Sequence, residues 1–236
     1  MTYKGIVFDK DGTLIDFNST WLPTYNFAAL EFADNDQNLA NQLLESHGYD
    51  SVEKRIKGGS LLAGGNNTEI ASNWSDMLDD DLSPDLLRQK CDRLHDTFLQ
   101  QAAVNTVAVP ELKTTILDLK QKHLKLGIAT SDSYQGIHNT LQAFDVLEQF
   151  DFLCGYDSGH GTKPGAGMVL AFCEVMSLHP SQVIVVGDNS HDIEMGLNAG
   201  AGLCVGVLTG TSSREELEQL TDTVVDDIRG LLNLTD

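Results

Sequence analysis

Four consecutive β-branched apolar residues, Val183-Ile184-Val185-Val186, constrain the fold most. A strand sends successive side chains to opposite faces, so a run with no polar alternation must be covered on both. Such strands lie inside parallel sheets packed between helices. Further apolar runs at Gly5-Ile6-Val7-Phe8, Leu124 to Ala129, Phe150 to Cys154 and Leu203 to Val207 predict more strands, with a short one at Val224-Val225. Between them, helical spacing marks 111–123, where Leu112, Ile116 and Leu119 share a face, and also 166–178, 192–199, 213–220 and 226–233. This alternation predicts an α/β fold, a doubly wound parallel sheet.

Residues 17–105 break the pattern. Helical segments are expected at about 20–33, 36–46, 51–57, 67–79 and 83–103, and Ser83-Pro84-Asp85 is a helix start. The expectation is an all-helical insertion after the first strand, dividing the chain into a core of 1–16 plus 106–236 and a helical domain of 17–105.

The chain has 236 residues, 41% hydrophobic, enough for a real core. No apolar run approaches the roughly 20 residues that span a bilayer, and the N-terminus lacks the pattern of a signal peptide. A soluble cytoplasmic protein is expected. Cys91, Cys154, Cys173 and Cys204 form no CxxC pair, and the histidines form no HExxH, so free thiols are expected and a zinc site is not. The formal net charge is -20, with 15 Lys and Arg against 35 Asp and Glu. Such a surface disfavours nucleic acid and anionic lipid. It also repels phosphate esters, so an anionic substrate needs a local metal or lysine.

Asp9, Thr130 and Asp188 each stand at the carboxyl end of an expected strand, and Lys163 in the loop after another. Open α/β sheets bind ligands at that edge. In Asp9-Lys10-Asp11-Gly12-Thr13, two carboxylates can face one site if the chain bends after Asp9, which Gly12 permits. One could attack phosphorus while the other handles the leaving-group proton; an acidic turn is the plain alternative. Asp188 and Asp192, one helical turn apart, could offer oxygen ligands to Mg²⁺, or cap a helix. Thr130 and Ser131 could hold a phosphate oxygen or merely begin a helix. Lys163 in the Gly-rich loop 159–165 gains weight only from this company. The Gly-rich segment 58–65 lacks the Gly-Lys-Ser/Thr of a nucleotide loop, and His160 and His191 are set aside as structural or exposed.

In order and spacing, these residues resemble the haloacid dehalogenase superfamily of phosphohydrolases. Asp9-Lys10-Asp11-Gly12-Thr13 resembles its DxDGT motif, Thr130 its second motif, Lys163-Pro164 its third, and Gly187-Asp188-Asn189-Ser190-His191-Asp192 its GDxxxD motif. Where many relatives carry KPxP, Lys163-Pro164 is followed here by Gly165-Ala166. The insertion is similar in position to the helical cap of phosphoglycolate phosphatase-like and β-phosphoglucomutase-like members.

The resemblance implies a Rossmann-like core and a Mg²⁺-dependent phosphatase acting on a small phosphorylated metabolite, as a monomer or homodimer. It makes Asp9 the nucleophile and Asp11 the acid and base. Mg²⁺ would be held by Asp9, Asp11 through its backbone carbonyl, and Asp188, with Asp192 in support. Thr130, Ser131 and Lys163 would bind phosphate oxygens. Lys10 fills the variable position of the motif and is expected to be outside the chemistry. The chief rival is a phosphomutase; a phosphonate hydrolase using Lys54 or Lys57 and a phospho-receiver domain are further alternatives. Within the insertion, Lys54, Arg55 and Lys57 form a dense cationic cluster. Arg55 and Lys57 are expected to contact a second anionic group of the substrate, unless the cluster is a solvated helix end.

Overall fold

The computed structural model describes residues 3–64, 67–78 and 83–235. The chain divides into two compact units, one formed by Met1–Phe17 with Val107–Asp236 and the other by Asn18–Thr106.

The first unit opens with strand β1 (Gly5–Phe8). The second unit then follows, with α1 (Phe17–Phe32), α2 (Gln37–Ser46), strands β2 (Tyr49–Asp50) and β3 (Arg55–Ile56), α3 (Leu61–Gly64), α4 (Asn67–Met77) and α5 (Pro84–Asn105). Asp36 caps α2 by accepting from the backbone N–H groups of Asn38 and Leu39 at 2.9 and 3.1 Å. The unit's core gathers Leu43, Leu44, Ile56, Leu62, Ile70 and Trp74, with Trp74 edge-on to Phe32 at 5.4 Å between ring centroids.

The expected helix over 51–57 is instead an antiparallel hairpin, with Tyr49 opposite Ile56 and Asp50 opposite Arg55. The physical cause is local. Asp50 Oδ1 accepts from the N–H groups of Val52 and Glu53, both at 3.0 Å, starting one turn. Lys54 then takes φ 53°, the left-handed region that ends helices. The insertion is therefore not wholly helical. Ile56 N–H donates to Asn18 Oδ1 at 2.8 Å, tying β3 to the start of the unit.

The first unit resumes with α6 (Leu112–Gln121), β4 (Lys125–Ala129), α7 (Tyr134–Leu141), β5 (Phe152–Cys154), α8 (Gly167–Met176), β6 (Val183–Gly187), α9 (Ser190–Ala199), β7 (Leu203–Val207), α10 (Arg214–Glu218) and β8 (Val224–Val225). Residues 228–233 form a 3-10 helix where an α-helix was expected. Helix α7, which the apolar spacing left unmarked, is capped by the Ser133 hydroxyl accepting from Gly136 N–H at 3.0 Å. Six parallel strands run in the order β5-β4-β1-β6-β7-β8. β1 thus lies inside the sheet, which winds outward from it in both directions.

Both faces of the sheet are covered. Ile6, Phe8, Leu126, Ile128, Ile184 and Val186 pack into one core with α6, and Val7, Ala129, Val183 and Val185 into the other with α8 and α9. The odd-even division follows the two-residue period of a strand. Among the described residues, no helix is long and apolar enough to cross a membrane.

Candidate active site

The carboxyl ends of β1 and β6 lie side by side, because Phe8 pairs with Val186. Asp9 N–H extends that ladder by donating to Val186 O at 2.8 Å. The chain then turns sharply. Gly12 stands at φ 90°, and a Cβ there would come within 2.5 Å of the Asp188 carboxyl carbon. The turn is held from outside by Thr209, whose hydroxyl donates to Gly12 O at 2.6 Å.

Asp9, Asp188 and Asp192 are all buried and offer carboxylate oxygens within 4.8 Å of one another. Lys163, from the loop between β5 and α8, places its ammonium 2.5 Å from Asp9 Oδ1 and 2.6 Å from Asp192 Oδ1. Asp192 Oδ2 accepts from the N–H groups of Asp188 and Asn189 at 3.1 and 3.3 Å, while Asn189 caps α9 in return. Both oxygens of Asp192 therefore have protein partners. Asp188 Oδ2 accepts from Thr211 N–H at 2.8 Å and from its hydroxyl at 3.1 Å. Asp9 Oδ2 is buried with no hydrogen-bond partner among the described residues.

The electrostatics follow. Burial lifts the Asp9 carboxyl well above the usual carboxylate range, against the pull of Lys163, with Asp192, Asp188 and Asp11 adding to the rise. Burial, then Asp192, pushes Asp188 up to about 7, opposed by the Thr211 hydrogen bonds. Burial works against the charge on Lys163, but Asp192 and Asp9 outweigh it and hold the ammonium above its ordinary value. Packed anionic oxygens, one of them orphaned, suit a hard divalent cation with oxygen ligands. Asp9 and Asp188 could be direct ligands. Asp192, spent on Lys163 and two backbone groups, would act from behind them.

Thr130 is buried at the end of β4, its N–H on Cys154 O at 3.0 Å and its hydroxyl oxygen accepting from Asp132 N–H at 3.1 Å. Ser131, beside it, is exposed, as is His191. Arg55 and Lys57 belong to the other unit, in and just after β3, where Lys57 pairs with Asp50 at 3.3 Å. The cluster therefore sits at a hairpin and not at a helix end. Gly65, which ends the Gly-rich segment, lies outside the described residues.

Sequence reasoning missed Thr209, Gly210 and Thr211. A Cβ on Gly210 would come within 2.0 Å of Asp188 Oδ2. The Thr-Gly-Thr stretch after β7 is the signal that could have marked them, since it too follows a buried strand. It also set Lys10 aside. That side chain is wholly buried, with its ammonium 2.7 Å from Asp11 Oδ2, 3.1 Å from Asp132 Oδ2 and 3.3 Å from the Thr140 hydroxyl. Burial opposes its charge, yet Asp11 and Asp132 outweigh that and raise its proton affinity. A lysine leaving a strand buried on both faces has no short path to solvent, which is the clue the motif pattern hid.

The sequence profile of haloacid dehalogenase-like hydrolases matches residues 6–206. A phosphoglycolate phosphatase from Psychrobacter arcticus is 24% identical over 97% of this chain and 94% of its own. The pyrophosphatase PpaX of Oceanobacillus iheyensis is also 24% identical, over 99% and 97%. A crystal structure of a candidate β-phosphoglucomutase from Thermotoga maritima aligns with a TM-score of 0.73 at 20% identity, over 98% of both chains, a likeness of fold. The profile match over most of the chain, with the aspartates and lysine gathered at the carboxyl edge of the sheet, establishes that the chain is an enzyme of the haloacid dehalogenase-like hydrolase family.

Proposed function

We propose that this enzyme, a phosphatase, hydrolyses a small-molecule phosphate monoester with Mg²⁺ through an aspartyl-phosphate on Asp9, in the manner of a phosphoglycolate phosphatase. The observation that carries the reading is the orphaned, buried Asp9 Oδ2, set among acidic groups with Lys163 on its other oxygen. Mg²⁺, held by Asp9, Asp188 and the Asp11 carbonyl with Asp192 in support, would offset charge between nucleophile and phosphoryl group. Lys163 orients Asp9 and, with Thr130 and Ser131, binds phosphoryl oxygens. Asp9 attacks phosphorus as the bond to the leaving oxygen breaks, and Asp11 gives that oxygen its proton. Asp11 then takes a proton from water, whose oxygen attacks phosphorus and frees Asp9 and inorganic phosphate. Positioning and charge stabilisation dominate such transfers. Residues 18–106 serve as the specificity domain, and the protein works in the cytoplasm as a monomer or homodimer.

The test is phosphate release by purified protein with Mg²⁺ from 2-phosphoglycolate, pyrophosphate and sugar phosphates. Release from 2-phosphoglycolate with kcat/KM above the others is expected. Interconversion of sugar phosphates that needs a bisphosphate and releases no net phosphate would replace the reading with a mutase.

Asp11→Asn removes the proton donor. It should lower kcat/KM for an alkyl phosphate by about 10²- to 10⁴-fold, the usual worth of general acid catalysis. An activated aryl phosphate, whose leaving group needs little help, should lose far less. Equal losses would make Asp11 structural.

The shared phosphoryl group cannot discriminate among substrates, so a second anionic group must be read elsewhere. Arg55→Ala or Lys57→Ala should raise KM for 2-phosphoglycolate about 10-fold, roughly 1.4 kcal/mol. An aryl phosphate without that carboxylate should barely respond. Unchanged kcat/KM for 2-phosphoglycolate in both variants would move specificity to other residues.

A further inference from the structure

Among the described residues, Lys10 is one of the largest side chains hidden completely, and it carries a charge. An ammonium has three N–H donors and no acceptor. Here three oxygens surround it: Asp11 Oδ2, Asp132 Oδ2 and Thr140 Oγ1. They come from three different pieces of the first unit, namely the turn after β1, the loop after β4, and helix α7. Asp132 is in turn tied to Thr130, whose hydroxyl oxygen accepts its N–H, and its side-chain Oδ1 accepts from Ser133 N–H at 2.6 Å.

A buried ion pair is weak evidence for stability, because desolvating both charges offsets their attraction. Apolar residues of similar size often serve a core as well. Such a network does fix direction, however, since every ammonium hydrogen has a specific partner. The carboxylate of Asp11 is 20% exposed, and in the proposed reaction it is the group that exchanges a proton at one point in space. General acid catalysis is sensitive to that placement.

We propose that Lys10 is a positioning residue, whose buried ammonium braces Asp11 against Asp132 and Thr140 and so aims the acid-base carboxylate while linking its loop to the one that carries Thr130. This rests on the acid-base reading of Asp11. The motif's variable position is, in this chain, a fixed strut between the two loops that flank the phosphoryl group.

The test is Lys10→Met, compared by kcat/KM on an alkyl phosphate and on 4-nitrophenyl phosphate, with the fold checked by circular dichroism. The alkyl substrate should lose about 10- to 100-fold, part of the 10²–10⁴ that a placed acid supplies. The aryl substrate should lose no more than about 3-fold, because its leaving group needs little protonation. In an Asp11→Asn background, adding Lys10→Met should change kcat/KM by less than about 2-fold, the non-additivity expected of residues that act as a unit. Equal losses on both substrates, or the full loss repeated without Asp11, would overturn the proposal and leave Lys10 a structural tie. Should Lys10→Met not fold, Asp132→Asn decides: a smaller loss confined to the alkyl substrate supports the brace, and no selectivity rejects it. An Asp11→Asn enzyme with no leaving-group bias would remove the acid role and the proposal with it. That failure is recognisable because it arises with Lys10 intact.

Discussion

Asp9→Asn should reduce phosphate release by roughly 10⁴- to 10⁶-fold, the scale of losing a covalent nucleophile. The amide keeps the shape of the side chain and can still meet the lysine through its oxygen, but it cannot attack phosphorus. The fold should survive, because Lys163 keeps its contact with Asp192 at 2.6 Å. Stability should even rise in metal-free protein. Burial lifts the Asp9 carboxyl well above its usual range, which means that its ionised form is disfavoured there when no cation is bound. Thermal melting in EDTA should therefore give Asp9→Asn a higher Tm than the unaltered enzyme at pH 8. Substantial turnover by the folded variant would reject the covalent route. A lower Tm would show that Asp9 and Lys163 together hold the edge of the sheet.

Chelation should have an effect of similar size. EDTA should abolish turnover and Mg²⁺ restore it. Ca²⁺ should inhibit, since its longer and looser coordination misplaces Asp9. Stability gives a second readout, independent of activity. Asp188, pushed up to about 7 from an ordinary 3.8, keeps its proton in the folded metal-free protein between about pH 4 and 7, where the unfolded chain has lost it. Stability therefore falls as pH rises through that window, and the cost is complete above it. A cation that binds the ionised site offsets this cost. The Tm gain from Mg²⁺ should be larger at pH 8 than at pH 6. Full activity in excess EDTA would exclude a metal-dependent mechanism, and a Tm indifferent to Mg²⁺ at both pH values would exclude binding at this cluster.

The sheet was legible because its strands are buried on both faces, which forces continuous apolar runs such as Val183-Ile184-Val185-Val186. Asp9, Asp188, Asp192 and Lys163 were legible because residues at carboxyl strand ends must converge. The hairpin at Tyr49–Ile56 was not, since strands of two residues carry no periodicity and Lys54 gives no sign in sequence of its left-handed backbone. Thr211 was hidden for another reason: its role depends on Asp188 lying across a strand pairing that only the fold creates. The burial of Lys10 was hidden by the motif itself, where a variable letter conceals the contacts that one particular side chain makes.

The central place of β1 also sets a timetable. Gly5 pairs with Lys125 on one side and Val183 on the other, so β1 finds no neighbour close to it in sequence, and both of its partners come from beyond residues 18–106. Closing such long loops is slow, because the entropy of closure comes before any reward from contact. Residues 18–106 form a compact unit of their own within the loop between β1 and β4. Asp9, next to β1, takes its working position only when these distant pairings close. A chain in which they have not closed carries β1 as an unpaired apolar strand, the kind of exposed edge that aggregation exploits.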